Sequence, residues 1–517
     1  MSTISAEYPD VSLKLTAQNE ARELPFPQAF DLCRQTIEAG DLRAGVFMTR
    51  QLVAQLPEAV PVLWLHAVAL DLLGGDDFSA RLSLCEQALS LDETHTEFAC
   101  MRSDLLRRLE RCDEAIDSLQ GILRQNSNDA GLYLELGQCY REKGRKAEAE
   151  NFFRSALYHD RNRVAAWFFL QDIAEFTHGD LKAMLALHRK KSLQPRERTH
   201  LCFALAGYWR QQKDVNNESI WLARGNANQK LEQPYEAKLY SRLVEEHIKR
   251  FTRSYFESVP VVSQSTAQPI FVIGMPRTGS TLMEKILSSH SRVTALGESA
   301  YMEQVLRQRA AAQEGSHGIF PSMIPEVPST KLVAIRDDYM ALVKQRPLTA
   351  MVTDKSLDNF QILGLLKLVF PEAKFIHMVR HPLDTILSCY QHSFSRLPFA
   401  NDLVDLAHYY VDYRRLMDHW QSIWTDAVLT VRYEALVKKP EIQIREISQY
   451  LGLEWEDSLL KFSENTGATR TASQLQVKSG LYQSSIGGWQ SYKKMLGPVA
   501  SILKKEGVLE YPKSLSC

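Results

Sequence analysis

Apolar residues in the first half of the chain recur at helical spacing, and small residues recur among them at a fixed interval of about 34 residues, a period typical of helical repeats. The clearest unit is residues 129–160. Its marker positions are Tyr133, Leu136, Gly137, Tyr140, Ala149, Phe153 and Ala156. One interval upstream, Ala149 maps onto Ala115. The other equivalent pairs are Gly137 with Ser103, Ala156 with Ile122, and Ile122 with Ala88. Because small residues let antiparallel helices approach closely, this pattern predicts stacked helical hairpins over residues 24–198.

The predicted hairpin unit resembles the tetratricopeptide repeat. The resemblance implies an array whose concave surface binds peptides or other partners. The sequence does not say which partner that would be. The marker residues themselves are accounted for as helical core without any chemistry.

The chain stays helical after the repeats but loses their period. Residues 199–257 keep apolar positions at helical spacing, as at Leu201 and Leu205. We interpret this stretch as a helical cap that joins the array to the next domain. A polar, loop-like segment then predicts a boundary, so that residues 258–517 form the last domain. Residues 1–23 would be an N-terminal arm.

A short apolar run at residues 269–274 is typical of a buried parallel strand. It leads into a glycine-bounded loop and a helical pattern, in the sequence FVIGMPRTGSTLMEKIL. In such an arrangement, backbone N–H groups and the positive end of a helix face an anion. The loop residues that we expect to hold a phosphate are Arg277, Thr278, Gly279, Ser280 and Thr281. A Walker A loop has a lysine after the last glycine. Here Ser280 stands in that place, so the main clamp of a Mg-NTP enzyme is missing.

A second motif of the same kind follows further along the chain. A predicted strand at residues 374–379 ends at Arg380, and Pro382 opens a helix that carries Ser388. Arginine suits phosphate binding because its planar guanidinium can hold two oxygens. Open parallel sheets bind nucleotides at the carboxyl ends of their strands. The two motifs therefore predict an α/β nucleotide-binding domain over residues 269–492.

The first loop closely resembles the 5'-phosphosulfate-binding motif of sulfotransferases that use 3'-phosphoadenosine-5'-phosphosulfate (PAPS). The domain order resembles bacterial sulfotransferases with N-terminal tetratricopeptide repeats, a group related to tyrosylprotein sulfotransferases. The implied fold class is a helical repeat array followed by a P-loop-like parallel α/β domain. The resemblance also implies that Arg380 and Ser388 grip the 3'-phosphate of the donor. It places Tyr433 near the adenosine and Trp489 over the nucleotide.

The same resemblance assigns the catalytic candidates. Glu298, in the segment LGES, matches a glutamate that acts as general base on the acceptor hydroxyl. Lys355, in VTDKS, matches a lysine that neutralises charge on the bridging oxygen as the sulfuryl group leaves. The implied reaction is an in-line displacement at sulfur, in which positioning and electrostatics supply most of the rate. No metal is implied, and no His, Cys and Asp cluster has ligand spacing.

The chain departs from the family pattern at two places. Asp358 stands near Lys355 in sequence, where it could lower the effective charge of the lysine. Gly488 precedes the tryptophan where a basic residue is common in the family. The lysines that could compensate are Lys478, Lys493 and Lys494. These departures bear on activity and on donor affinity.

Composition and charge exclude several other classes of function. The chain has 517 residues and a formal net charge of −1, so no global charge draws it to nucleic acid or to a membrane surface. No apolar run approaches the roughly 20 residues of a membrane span. The eight cysteines are scattered without paired spacing, which suits a reducing compartment. The N-terminus lacks the pattern of a signal peptide. We therefore expect a cytoplasmic protein.

Two other functions stay open at this point. A Mg-NTP kinase could be built on the same sheet, although the Walker lysine is missing. A catalytically impaired nucleotide-binding scaffold would keep the repeats as its working part, and Asp358 and Gly488 leave room for it. The acceptor is equally open. The repeats favour a protein or peptide tyrosine, while saccharide, lipid and small-molecule hydroxyls are compatible with a PAPS fold.

Overall fold

A computed structural model of the chain describes residues 8–15, 20–74, 78–109, 111–259, 268–311, 329–346, 348–462 and 486–511. Lys478 and Cys517 lie outside these ranges. The chain divides into two compact units, Met1–Ala174 and Glu175–Cys517. The predicted boundaries at residues 198 and 257 follow sequence patterns and stay predictions.

The part of the first unit that the structure describes is helical apart from one small antiparallel pair of strands. The strands are β1 (Val11–Leu13) and β2 (Arg22–Leu24). The helices are α1 (Phe26–Glu38), α2 (Leu42–Gln55), α3 (Val60–Leu73), α4 (Phe78–Leu91), α5 (Thr96–Arg108), α6 (Cys112–Gln125), α7 (Ala130–Glu142), α8 (Lys146–His159) and α9 (Val164–Leu170).

The predicted repeat interval reappears in the helix starts. Helices α4, α6 and α8 begin at residues 78, 112 and 146, and helices α5, α7 and α9 begin at residues 96, 130 and 164. Ala115, Ala149 and Ala156 have no exposed surface. A Cβ on Gly137 would lie 2.5 Å from the ring of Phe153, so this glycine is required for the close approach of α7 and α8. The prediction of a helical repeat array is confirmed.

The second unit opens with helices that precede the sheet. They are α10 (His178–His188), α11 (Pro195–Gln211), α12 (Val215–Glu232), α13 (Ala237–Arg250) and α14 (Arg253–Ser258). Pro195 occupies the first turn of α11, where its missing N–H has no partner to lose. Asp214 caps α12 by accepting a hydrogen bond from the N–H of Asn217 at 3.0 Å.

Among the described residues of the second unit, five parallel strands form a sheet in the order β4-β5-β3-β6-β7. They are β3 (Gln268–Gly274), β4 (Val293–Ala295), β5 (Met351–Asp354), β6 (Lys374–Val379) and β7 (Val428–Arg432). Apolar side chains of β3 and β6, including Ile270, Val272 and Ile376, are completely buried. Burial on both faces explains why these strands read as continuous apolar runs. The predicted parallel α/β architecture is confirmed.

Helices connect and cover the strands. They are α15 (Ser280–Leu287), α16 (Tyr301–Ala311), α17 (Ser329–Val343), α18 (Leu363–Val369), α19 (Pro382–Tyr390), α20 (Leu403–Ile423), α21 (Tyr433–Lys438), α22 (Pro440–Leu451) and α23 (Lys493–Lys505). Short 3-10 segments lie at Leu357–Ile362, Pro398–Asn401, Asp457–Leu459 and Gly488–Tyr492. The ends of β3, β5 and β6 carry the loops with candidate chemistry, since parallel strands meet at one edge of the sheet.

The sequence led us to expect unpaired cysteines and no membrane-spanning segment. The seven described cysteines are free, and six of them are buried. Burial raises the pKa of Cys33 to about 12, so this thiol stays protonated. Within the described residues, no helix has both the length and the apolarity that crossing a bilayer requires.

Candidate functional site

The loop between β3 and α15 has an unusual backbone that only certain residues allow. Gly274 and Gly279 have φ angles of 141° and 93°, and Arg277 has a φ of 69°. A Cβ at Gly274 would lie 2.5 Å from the carbonyl oxygen of Met378, and one at Gly279 would lie 2.5 Å from the ring of Tyr433. Glycine is therefore required at both ends of the loop, because the chain passes directly against β6 and α21.

Helix α15 begins inside the protein with no side chain capping it. Gly279 occupies its N-cap position, and every residue of the helix is buried. The hydroxyl of Thr278 donates to the carbonyl oxygen of Met275 at 2.7 Å, which fixes the turn before the helix. The first N–H groups of a helix have no partner within it. Ser280 and Thr281 therefore present a partial positive charge to the loop, as an anion site requires.

Two arginines and a serine from separate elements meet at this loop. Arg277 Nε donates to Ser388 Oγ of α19 at 3.1 Å. Arg380 Nη1 donates to the backbone oxygen of Arg277 at 3.1 Å. The guanidinium of Arg380 also lies 5.3 Å from the ring centre of Tyr433. Both predicted phosphate motifs thus form one cationic region, with Tyr433 packed against it.

Trp489 packs on the residue that follows Arg380. Its ring stacks on that of His381 with centroids 5.3 Å apart and planes 4° from parallel. Asp384 of α19 holds the segment in place by accepting hydrogen bonds from the N–H of Gly487 at 2.8 Å and of Trp489 at 3.0 Å. The contact between Asp384 and the Trp489 segment could not be predicted from the sequence, because the two lie far apart along the chain. The structure places Trp489 beside the second phosphate motif.

Gly488 lacks the basic side chain that is common at this place in the family, but a cation lies near. Lys493 Nζ lies 5.9 Å from the centre of the Trp489 ring. Lys494 is exposed on the first turn of the same helix, α23.

The two catalytic candidates form an ion pair. Lys355 Nζ lies 2.9 Å from Glu298 Oε1. The lysine has no exposed surface, whereas the side chain of Glu298 is 52% exposed. The carboxylate is therefore reachable from solvent, while the ammonium lies behind it.

A third charged residue completes this cluster, and the sequence did not single it out. Glu284 of α15 is 1% exposed, and its Oε2 lies 3.6 Å from Lys355 Nζ. Its Oε1 accepts a hydrogen bond from the N–H of Gly297 at 3.0 Å. One carboxylate thus contacts the lysine and fixes the backbone directly before Glu298. Its sequence signal is a glutamate one helical turn after Ser280 in an apolar helix, which places it just below the loop.

Burial and charge act in opposite directions on this cluster. Burial lowers the pKa of Lys355, but Glu284 and Glu298 outweigh it, and the net pKa is raised. Burial raises the pKa of Glu284, with Lys355 acting against it. Burial likewise raises the pKa of Asp354, whose oxygens accept from Ser356 N–H at 2.9 Å and from Tyr339 OH at 2.9 Å. Lys355 is therefore a charged ammonium between two carboxyl groups.

Asp358 does not form the contact that its sequence position suggested. Lys355 pairs with Glu284 and Glu298, and no ion pair joins it to Asp358 among the described residues. The Asp358 side chain keeps an exposed surface, but the protein dehydrates it on its other sides. That dehydration, followed by the negative charge of Glu303, raises the pKa of Asp358 to about 6.

Helix α15 links the two parts of the site. The loop directly before it carries Arg277, which contacts Ser388 and Arg380, and Glu284 on its second turn contacts Lys355. An anion held at the start of α15 would therefore lie about one helical turn, ~5 Å, from the level of the Lys355 cluster. Among the described residues, no three His, Cys, Asp or Glu side chains form a group that could hold a metal.

Two family models match this chain. Residues 269–457 match the sulfotransferase family, and residues 100–165 match the tetratricopeptide repeat. The first range contains the two phosphate motifs, Glu298 and Lys355. It ends before the segment that carries Trp489.

Several known proteins are similar to parts of the chain. An uncharacterized protein of Aquifex aeolicus is 28% identical over 80% of this chain and 55% of its own length. Protein-tyrosine sulfotransferase A of Caenorhabditis elegans is 25% identical over 41% of this chain and 57% of its own length. The chain thus spans little more than half of each relative. The sulfotransferase domain of the Synechococcus olefin synthase covers 49% of this chain at 22% identity, with a TM-score of 0.36.

Proposed function

We propose, on the premise that residues 269–457 form a domain of the sulfotransferase family, that this protein transfers the sulfuryl group of PAPS to an acceptor hydroxyl. One observation carries the proposal. Arg277, Arg380 and Ser388 meet at the buried start of α15, and the same helix holds Glu284 against Lys355. The residues proposed to bind the donor and those proposed to act in proton transfer are thereby connected through one helix.

The residues fit the two anionic ends of this donor. The loop from Gly274 to Thr281 offers backbone N–H groups at an uncapped helix start, together with the cation of Arg277, for the 5'-phosphosulfate. Arg380 and Ser388 offer a guanidinium fork and a hydroxyl for the 3'-phosphate. The ring of Tyr433, against the loop, and the stacked ring of Trp489 offer flat surfaces for the adenosine.

The acid–base chemistry falls to the pair of Glu298 and Lys355. Glu298 takes the proton of the acceptor hydroxyl, because its carboxylate is exposed. The acceptor oxygen then forms its bond to sulfur as the bond from sulfur to the 5'-phosphate oxygen breaks. Lys355 and Arg277 stabilise the negative charge on the leaving phosphate. The proposed reaction requires no metal.

The acceptor that we propose is a tyrosine of a protein or peptide. The similarity to a protein-tyrosine sulfotransferase supports this class, and the tetratricopeptide repeats offer a surface for a peptide partner. We place the reaction in the reducing environment of the cytoplasm, because the seven described cysteines are free thiols.

Calorimetric titration with adenosine 3',5'-bisphosphate (PAP), the product of the donor, is the first test. We expect PAP to bind, and 5'-AMP and Mg-ATP to bind much more weakly, because only PAP carries a 3'-phosphate. A preference for Mg-ATP would favour a kinase and overturn the proposal. PAP binding without turnover of radiolabelled PAPS on any hydroxyl would identify a nucleotide-binding scaffold.

Transfer assays with radiolabelled PAPS then identify the acceptor. Tyrosine peptides, saccharides and small phenols are compared at equal concentration. Label on the tyrosine of a peptide is the expected result. Label confined to saccharides would leave the sulfotransferase activity standing and correct the acceptor class.

A further inference from the structure

Helix α12 contacts the candidate donor site although it lies outside the residues that match the sulfotransferase family. That match begins at residue 269, whereas α12 ends at Glu232. Glu218 on this helix is 1% exposed, which is unusual for a carboxylate. A buried carboxylate needs charged or hydrogen-bonding partners. The partners of Glu218 therefore show which segments of the chain helix α12 holds in place.

Glu218 gathers side chains from three other elements. Arg210 Nε at the end of α11 donates to Glu218 Oε1 at 2.7 Å, and Gln391 Nε2 after α19 donates to the same oxygen at 3.1 Å. Tyr492 OH donates to Glu218 Oε2 at 2.5 Å. Burial and the nearby carboxylate of Glu218 raise the pKa of Tyr492, so its hydroxyl stays protonated and remains a donor.

A row of amide side chains extends the contact along α12. Asn226 Nδ2 donates to the backbone oxygen of Tyr390 at 2.9 Å, and Gln229 Nε2 donates to that of Phe394. Gln233, at the end of the helix, donates to the backbone oxygen of Ser395 at 2.9 Å. Spacings of three and four positions put these amides on one face of the helix. The end of α19 and the backbone that follows it are thus bonded to α12.

Both segments held by α12 carry residues of the proposed donor site. Tyr492 ends the 3-10 segment that begins at Gly488 and includes Trp489. Gln391 directly follows α19, the helix of Asp384 and Ser388. Asp384 ties these two segments together at one end, through the N–H of Trp489. Glu218 ties them together at the other end, through Tyr492 and Gln391.

We propose that Glu218 is a positioning residue of the donor site, which holds the Trp489 segment over α19 through its bond to Tyr492. This inference rests on the proposed binding of PAPS or PAP. It implies that the functional sulfotransferase unit of this chain includes α12 and does not begin at β3. In this proposal Glu218 does not contact the donor and acts by fixing the segment that would contact it.

The test compares PAP affinity among single and double variants of the full-length protein. Tyr492→Phe removes only the hydroxyl that bonds to Glu218, and we expect it to weaken PAP binding about 10-fold, a typical effect of losing a hydrogen bond to a charged group. Glu218→Gln should weaken binding by at least as much. If Glu218 acts through Tyr492, the double variant binds no more weakly than Glu218→Gln alone.

A matched control separates positioning from a general loss of structure. Tyr450→Phe also removes a partly buried hydroxyl, one that bonds to the backbone oxygen of Ala427 at the sheet edge. We expect it to lower the melting temperature without changing PAP affinity. Unchanged PAP affinity in Tyr492→Phe, or fully additive effects in the double variant, would overturn the inference. Absence of PAP binding by the unmodified protein would instead overturn the proposed function.

Discussion

Arg380 is the residue on which recognition of the 3'-phosphate depends most directly. It is 9% exposed, and it lies between the backbone of Arg277 and the ring of Tyr433. Arg380→Ala should weaken PAP binding by ~2 to 3 kcal/mol, because a charge-assisted bond to phosphate is lost. Binding of 5'-AMP should hardly change. Calorimetry with both nucleotides measures the difference, and equal losses for PAP and AMP would contradict this role.

Removal of the Glu284 charge should strengthen PAP binding rather than weaken it. The Glu284 carboxylate competes for Lys355 with any anion that binds at the start of α15. Glu284→Gln keeps an oxygen for the N–H of Gly297 and removes the negative charge. PAP should then bind more tightly by on the order of 1 kcal/mol, several-fold in Kd, since one repulsive charge near the 5'-phosphate is gone.

Glu441→Gln serves as the surface control for that variant. Glu441 is paired with Arg445 on the exposed side of α22, with 56% of its side chain exposed. We expect no change of PAP affinity there. Weaker PAP binding in Glu284→Gln would show that the charge of Glu284 is needed to hold Lys355 in place.

The residues of the candidate site were predictable to different degrees. Arg277, Arg380 and Ser388 stand in local patterns of strand, loop and helix, and the structure brings them together. The roles of Glu298 and Lys355 stay predictions, although the two side chains form a pair. Glu284 was not identified in advance, because its partners are distant in sequence and its own helix reads as apolar core. Asp358 was expected near Lys355 because the two are close in sequence. Closeness in sequence, however, does not imply contact.

Helix packing in the repeat array depends on single glycines that differ in their surroundings. Gly137 has the ring of Phe153 where a Cβ would lie, whereas Gly121 of α6 has open space. Gly137→Ala should lower the free energy of unfolding of the first unit by ~1 to 3 kcal/mol through overpacking. Gly121→Ala should raise it by ~0.5 to 1 kcal/mol, because alanine loses less backbone entropy in a helix. Urea unfolding of both variants, followed by circular dichroism, measures the contrast. Similar effects of the two substitutions would contradict the packing argument.

Elements were more predictable than the contacts between them. The fixed interval between small residues predicted the repeat, and the apolar runs predicted strands at residues 269–274 and 374–379. The contact of α12 with the segment after α19 was not predictable, since amides on a helix surface are usually solvated and their partners lie far along the chain. Short-range patterns determine the elements, whereas such buried polar bonds appear only when the chain is folded.

Buried neutral histidines make the stability of the whole molecule depend on pH. Burial lowers the pKa of His66 and of His247 to about 4, and that of His377 to about 3. Each folded-state pKa lies below the unfolded value, so the unfolded chain binds protons first as the pH falls. The stability that these groups contribute is therefore present above pH ~6.5 and is lost on acidification toward pH 4.

His377 offers a direct test of this pH dependence. Its ring bonds to Tyr413 OH in the core beside the sheet. On going from pH 7 to pH 5, this single group should lower the free energy of unfolding by about 2 kcal/mol. His377→Gln should be less stable than the unmodified protein at pH 7, but should lose less stability between pH 7 and pH 5. Urea titrations at pH 7 and pH 5 measure the free energy of unfolding of both proteins. An unchanged pH dependence in the variant would refute the role of His377 in the loss of stability.

The constant interval between equivalent helices also limits how such a chain can change length in evolution. From α6 to α9, each helix begins 34 residues after its equivalent in the preceding hairpin, whereas α4 and α5 begin 36 residues after α2 and α3. Duplication or loss of a whole interval, such as residues 96–129, would restack the next hairpin on the same small residues. A change of any other length would bring polar positions into the layer between hairpins. Inherited variants of this architecture should therefore differ by whole intervals between residues 78 and 164, with the sheet and its site left unaltered.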